Sequence, residues 1–421
     1  YMGDWDFIGS NTKEFTHFFH TSPATMISHV ARKIIAEFGK PGMNLLDPYC
    51  GSGTSLVEAR LAGLNGYGFD LNHMARRISM VKTIDYNMKD LQSFVKRIKT
   101  DISKIKLLGV VKSIKNSGFD SAVIRSWYPD KSIREIASVL QYFQDVFVDE
   151  RLDWFARLTL SDCLRTVAFQ RNHEFKLYRI PKNERDDFYV PLFPVFIKKL
   201  IRNFEGIKNY RTELLERGYL RNTTAVITNQ NTVLTDVLNN LQEIDIVVTS
   251  PPYGDSATTV AYAQFSWLSN VWLGLDVRNH GQLDRDLMGG FVSKVIEETG
   301  CSLIDESISK IEMTDEKRAR EVYSFYRDYK LSIQHLSSNI KIQGYACFVV
   351  GNRTVKGEFL RTDIFTKEAF EEYGFDHIDT IIRKLPNTRM PGKVSPTGKK
   401  GKTAPTMSQE YIVICKKIKV I

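Results

Sequence analysis

Residues 43–70 carry the decisive stretch: Met43-Asn-Leu-Leu-Asp47-Pro-Tyr-Cys-Gly51-Ser-Gly53-Thr54, then Ser55-Leu-Val-Glu-Ala-Arg-Leu-Ala62, then Gly63-Leu-Asn-Gly66-Tyr-Gly-Phe-Asp70. Met43–Asp47 predicts a short buried strand and Pro48–Thr54 a glycine-rich turn. Ser55–Ala62 predicts a helix stopped by Gly63, and Gly66–Asp70 a second strand ending in an acid. A strand–turn–helix–strand unit of about 30 residues is the building block of parallel sheets. The expected fold is therefore α/β, a doubly wound and mostly parallel sheet.

Working outward, the apolar spacing of Met26, Ile27, Val30, Ile34, Ile35 and Phe38 predicts an amphipathic helix over 24–38, ended by Pro41-Gly42. Downstream, Ala225–Ile227, Ile244–Thr249 and Tyr345–Val350 predict further strands, the last two as the near-continuous apolar runs of buried parallel strands. Ile378–Ile382 and Tyr411–Cys415 predict two more around a polar loop. Between them, residues 86–221 show helical periodicity and are expected to form a large insertion, a possible seat of target recognition. The organisation expected is thus 1–85, an N-terminal element and the first half of the core; 86–221, helical; and 222–421, the second half with a helical insert at 256–340. Residues 386–407 contain Arg389, Lys393, Lys399, Lys400 and Lys402, four prolines, three glycines and no acid. Such a segment cannot bury a core, and it is expected to contact phosphates.

The chain has 421 residues, 43% hydrophobic and 25% charged, which excludes collagen-like and wholly disordered classes. Lysine and arginine total 58 against 49 acids, a formal charge of +9 that suits a polyanion partner. Five scattered cysteines without a CxxC spacing argue against structural zinc and secreted disulfides, so a reducing, cytoplasmic setting is expected. There is no run of eighteen apolar residues to span a membrane, and the acidic Tyr1-Met-Gly-Asp-Trp-Asp6 start does not read as a signal peptide.

The chemistry concentrates at three strand ends. A glycine turn after a strand lets a ligand approach the backbone, but no GKS or GKT closes it, and Asp47 disfavours a phosphate. Asp70, ending the next strand, is placed as acids that bind ribose hydroxyls are. Thr249-Ser-Pro-Pro-Tyr253 follows a buried strand at the edge where open α/β sheets bind ligands. Its prolines direct carbonyls outward, Ser250 and a proline carbonyl can accept from an amino group, and Tyr253 offers a face for stacking a base. His17 and His20 lack a metal-binding set around them and are expected to play polar or capping roles. Trp267 and Trp272 fall in a helical pattern and are expected in the core. Asp255 and Thr258, just past the motif, are candidates for base contact.

These residues resemble the S-adenosylmethionine-dependent amino-methyltransferases acting on DNA, and Ser-Pro-Pro-Tyr resembles their cytosine-N4 branch, found in restriction–modification systems. Thr16–Pro23 looks like the element preceding the cofactor motif in relatives. The resemblance implies a Rossmann-like methyltransferase fold, S-adenosylmethionine as cofactor, double-stranded DNA as partner, a base flipped from the stack, and a cognate endonuclease acting on the same site. It implies cofactor contacts from Asp47, Pro48, Cys50, Gly51, Gly53, Thr54, Asp70 and Asn72, with Asn229 or Asn231 meeting the adenine amine. Ser250, Pro251, Pro252 and Tyr253 become the catalytic set, and no metal is called for. A cytosine-C5 mechanism needs a thiolate, usually after proline. No cysteine here follows one, and Cys50 reads as a packing residue inside the turn. Adenine-N6 methylation of DNA and guanine-N2 methylation of tRNA remain open as alternatives, as does a cofactor-binding DNA reader without turnover.

Overall fold

The computed structural model describes residues 4–109, 112, 121–146, 149–171, 177–234, 243–255, 259, 261–275, 285–385, 393–394, 404–405 and 407–421. In chain order the elements are α1 (Ser28–Phe38), β1 (Asn44–Asp47), α2 (Thr54–Leu61), β2 (Asn65–Phe69), α3 (His73–Thr83) and α4 (Met88–Asp101). Then come α5 (Ser121–Trp127), α6 (Asp130–Val146), α7 (Glu150–Leu164), α8 (Leu192–Glu216), β3 (Ala225–Thr228) and β4 (Ile244–Thr249). The last group is α9 (Tyr262–Trp272), α10 (Ser302–Glu312), α11 (Glu316–Asn339), β5 (Ile340–Val350), β6 (Arg353–Val355), β7 (Glu358–Leu360), α12 (Thr362–Glu372), β8 (Phe375–Lys384), β9 (Lys393–Val394), β10 (Ala404–Pro405) and β11 (Gln409–Lys417).

Seven strands form one sheet in the order β3-β2-β1-β4-β5-β11-β8. β3, β2, β1, β4 and β5 run parallel, and β11 is antiparallel to both β5 and β8. The mostly parallel sheet is the one expected. Neighbouring residues of a strand face opposite sides. Leu46, Val247 and Phe348 pack with α10, α11 and α12, whereas Leu45, Ile246 and Val248 pack with α1 and α2. A third apolar cluster joins α3, α4, α6, α7, α8 and α9, and contains Trp272 and, at its margin, Trp267. Trp272 meets Tyr128 edge to face.

Two elements differ from expectation. The first helix begins at Ser28, because Ile27 is extended and residues 20–26 leave the helical path to line a cleft. β5 begins at Ile340, five residues before the apolar run. The helix α11 passes directly into it, through a kink with Gln343 at φ 70° and a register shift opposite Ile244–Ile246.

The ends of the strands set the stage. β8 runs parallel to β5, so β8 ends and β11 begins at the carboxyl edge of the sheet. Between them in sequence, β9 and β10 pair antiparallel. For Lys393 only this backbone pairing is described, while Arg389, Lys399, Lys400 and Lys402 lie outside the described residues.

The N-terminal segment is seated on α8 at Gly206. A Cβ there would run into the Phe15 carbonyl oxygen and come 2.8 Å from Phe18 Cζ. In an open helix, replacing glycine by alanine gains about 1 kcal/mol. Here the clash with a backbone carbonyl outweighs that, and Gly206→Ala is expected to lose about 1–3 kcal/mol net in urea unfolding.

Candidate active site

The strand order makes the ends of β1 and β4 neighbours. Thr249 Oγ1 donates to Asp47 Oδ1 at 2.6 Å, and the Tyr49 N–H donates to the same oxygen at 3.2 Å. The glycine turn and the Ser-Pro-Pro-Tyr corner are thereby held side by side. Segments 20–26, 47–52, 70–72 and 230–233 line one cleft at this edge, together with Thr54, Ser250 and Pro252. Of the residues singled out in the sequence, Gly53, Asn229, Pro251, Tyr253 and Asp255 are not among those that line it, and Tyr253 is half-buried.

The turn is fixed from outside the cleft. Gly53 has φ 75°, and a Cβ on it would come 2.8 Å from Ser79 Oγ. Ser79 Oγ donates to the Gly51 carbonyl and Lys82 Nζ to the Ser52 carbonyl, each at 2.7 Å. Burial pushes the Lys82 ammonium down to about 7. With these carbonyls held by α3, Gly51 N–H donates to Asp70 Oδ2 at 3.0 Å, and Asn72 N–H to Asp70 Oδ1 at 2.7 Å. Each carboxylate oxygen keeps a second lone-pair site. Burial pushes both the Asp47 and the Asp70 carboxyls up to about 6. Cys50 is buried, and its thiol is pushed well above the usual range by that burial, which fits a packing role. Asn72 caps α3 through the Met74 N–H and donates to Ser266 Oγ at 2.8 Å, so its side chain is committed to structure.

Past β3 the expected asparagines are engaged. Asn229 Oδ1 accepts from Arg76 Nη1 at 2.9 Å and Asn231 Oδ1 from the Val233 N–H at 3.0 Å. Between them Gln230, which the sequence reading passed over, lines the cleft with a buried Oε1 that has no hydrogen-bond partner.

At the corner, Ser250 Oγ donates to Tyr253 Oη at 3.1 Å, which donates to Glu410 Oε1 at 2.9 Å. The Tyr253 ring lies over Gly351, where a Cβ would come within 2.6 Å of it. Burial, reinforced by Glu410, pushes the Tyr253 phenol well above its usual range, so it stays a donor. Asp255 does not line the cleft. It is buried and bonded to Arg318 Nη2 at 2.9 Å and Arg353 Nη1 at 3.1 Å, an ion cluster that fixes the chain just beyond the corner. Thr258 lies outside the described residues. His17 bonds Glu58 at 2.7 Å and His20 bonds Ser161 Oγ at 2.9 Å. Among the described residues no group of three or more His, Cys, Asp or Glu could hold a metal, and no helix is long and apolar enough to cross a membrane.

No protein-family model matches the chain. It is 35% identical over 429 aligned positions to the Type II methyltransferase M.MvaI of Kocuria varians, covering 99% of this chain and 93% of that protein. This chain belongs to the Type II methyltransferases. S-adenosylmethionine is the enzyme's methyl donor. A shorter match, 31% identical over 98 residues, is to the tRNA (guanine(10)-N2)-dimethyltransferase of Methanocaldococcus jannaschii; it covers 23% of this enzyme and 27% of that protein. Two solved structures overlap 94% of the chain: TrmN from Thermus thermophilus, at 8% identity, TM-score 0.31 and half of that chain, and the rRNA methyltransferase aviRa from Streptomyces viridochromogenes, at 9%, 0.33 and 88%. Both scores are too low to relate the folds in detail.

The cleft suits this donor. It offers two carboxyls for hydroxyl or ammonium donors, an orphaned amide oxygen for an amino group, and a backbone turn approachable at Gly51. Asp47 and Asp70 are charged above pH about 6 and protonated below it. Protonation turns one carboxyl oxygen into a donor and removes the charge that strengthens both as acceptors. S-adenosylhomocysteine affinity, measured by calorimetry, is expected to weaken as pH falls from 7.5 to 5. Asp70→Asn should bind more weakly at pH 7.5 and show a flatter profile.

Proposed function

We propose that the enzyme methylates the exocyclic N4 amine of cytosine in duplex DNA at specific sites, as the modifying partner of a restriction endonuclease. The observation that carries this reading is Ser250 in the cleft wall, beside Asp47 and next to the diproline. In the proposal, Asp70 takes the ribose hydroxyls, Asp47 and the Gly51–Gly53 turn take the methionine portion, and Gln230 Oε1 takes the adenine amine in place of Asn229 or Asn231.

An exocyclic amine is a poor nucleophile, because its lone pair is delocalised into the ring. Ser250 Oγ and the Pro251 carbonyl accept its hydrogens and favour a tetrahedral nitrogen with a freed lone pair. When bound, S-adenosylmethionine would supply a methyl group on a sulfonium sulfur that keeps the C–S electron pair, and the amine held by Ser250 and the Pro251 carbonyl would give up one proton to solvent. Positioning provides the rest of the acceleration. In a duplex the amine is paired, so the base must leave the stack, at a cost of a few kcal/mol that stacking on Tyr253 and phosphate contacts offset.

The short match to a tRNA guanine-N2 methyltransferase supports a second reading, in which a guanine amine in RNA occupies the same corner. Methyl transfer to DNA and RNA in parallel, followed by mass spectrometry of the nucleosides, separates them. N4-methylcytosine in DNA is the expected product, and N6-methyladenine or N2-methylguanine overturns the assignment.

Tyr253→Ala is expected to lower methyl transfer by at least about tenfold, from the loss of stacking worth about 1–3 kcal/mol, while S-adenosylhomocysteine affinity stays within twofold. Replacing Lys399, Lys400 and Lys402 by glutamine should weaken DNA binding and reduce the slope of log affinity against log salt by up to about 3. An unchanged slope removes the 386–407 loop from the interface.

A further inference from the structure

A serine hydroxyl is both donor and acceptor and turns freely. Activating an amine requires it to accept. A hydroxyl hydrogen pointing into the cleft would instead meet the amine's own hydrogens. The fold settles which way that hydrogen points. Glu410 is an acceptor, so the Tyr253 phenol hydrogen goes to Glu410 Oε1 at 2.9 Å. Tyr253 Oη is then left with lone pairs, and the Ser250 hydrogen goes to it at 3.1 Å. What Ser250 turns to the cleft is lone pairs alone.

The far end of this chain is pinned too. Glu410 Oε2 is bonded by Arg383 Nη1, its partner across the β8–β11 register, and the buried Arg383 Nε donates to the Trp5 carbonyl at 3.1 Å. The Tyr253 ring also packs against Gly351, where no side chain would fit beside it.

We propose that Glu410 is a positioning residue for methyl transfer: through Tyr253 it fixes the Ser250 hydroxyl as an acceptor toward the target amine. This rests on the amino-methyltransferase reading above. Each donated hydrogen also strengthens the next acceptor in such a chain, so the polarisation runs from Glu410 toward Ser250. Tyr253 thus has two separable roles, one for its ring and one for its hydroxyl.

Two variants test it. In Glu410→Gln the guanidinium of Arg383 draws the amide oxygen, since arginine has only donors. The amide NH2 then faces Tyr253 Oη and reverses the relay, which turns the Ser250 hydrogen toward the cleft. Tyr253→Phe keeps the ring and deletes the relay. Single-turnover methyl transfer is measured on a DNA duplex whose modified site has been mapped in plasmid from expressing cells, alongside DNA affinity by anisotropy and S-adenosylhomocysteine affinity by calorimetry. The expected result is a transfer rate down about tenfold in Tyr253→Phe and further in Glu410→Gln, with both affinities within twofold of the parent. A rate within twofold of the parent in either variant overturns the proposal. So does a rate loss matched by an equal loss of DNA or S-adenosylhomocysteine binding, which marks a structural role. If Glu410→Gln does not fold, Tyr253→Phe decides alone. A parent enzyme that methylates no exocyclic amine refutes the underlying reading rather than the relay.

Discussion

The structure depends on one contact, the hydrogen bond from Thr249 to Asp47 across the carboxyl ends of β4 and β1. The two residues are 202 positions apart in sequence, and the parallel pairing of Leu45 with Ile246 and Leu46 with Val247 leaves no other place for them. A buried carboxyl without partners is costly. Here a hydroxyl and a backbone N–H share the burden, and burial still raises the carboxyl to about 6. That one contact fixes the glycine turn relative to the diproline corner. The cleft lies between them because β1 and β4 are parallel neighbours that end at the same edge of the sheet.

Much of this was legible because the strands are buried on both faces and read as apolar runs, and because turns and strand ends demand particular residue types. Asp47, Gly51, Gly53, Asp70 and Ser250 stand out for that reason. Their neighbours in the fold do not. Glu410 meets Tyr253 from 157 residues away, at the start of an edge-side hairpin where an acid has no local mark. Gln230 sits between two asparagines that were better candidates by type. Only the direction of Arg76 and the capping geometry at Val233 reveal that both asparagines are engaged. The start of the first helix was misjudged because an apolar spacing also suits a strap with one side against a core and the other in a cleft. Asp255 was misjudged because nothing local announces Arg318 and Arg353.

The helical region from α4 to α8 is built into the site rather than appended to it. Asp162 on α7 accepts from the Thr21 N–H at 2.9 Å and is paired with Lys199 at 2.7 Å and Arg202 at 3.2 Å. Phe19 is fully buried in the same helical cluster. The start of the strap, at His20 and Thr21, is therefore anchored on α7.

On the proposed mechanism, the charge distribution favours a serine at the corner. Two acids already occupy the cleft, and Asp70 raises the Asp47 carboxyl further. A third carboxylate in place of Ser250 would add like-charge repulsion within that apolar setting. A hydroxyl supplies lone pairs without the charge, but only if its hydrogen is held elsewhere. Glu410 supplies the missing negative charge at one remove, where Arg383 balances it. Acceptor strength at the corner is thus separated from net charge in the cleft.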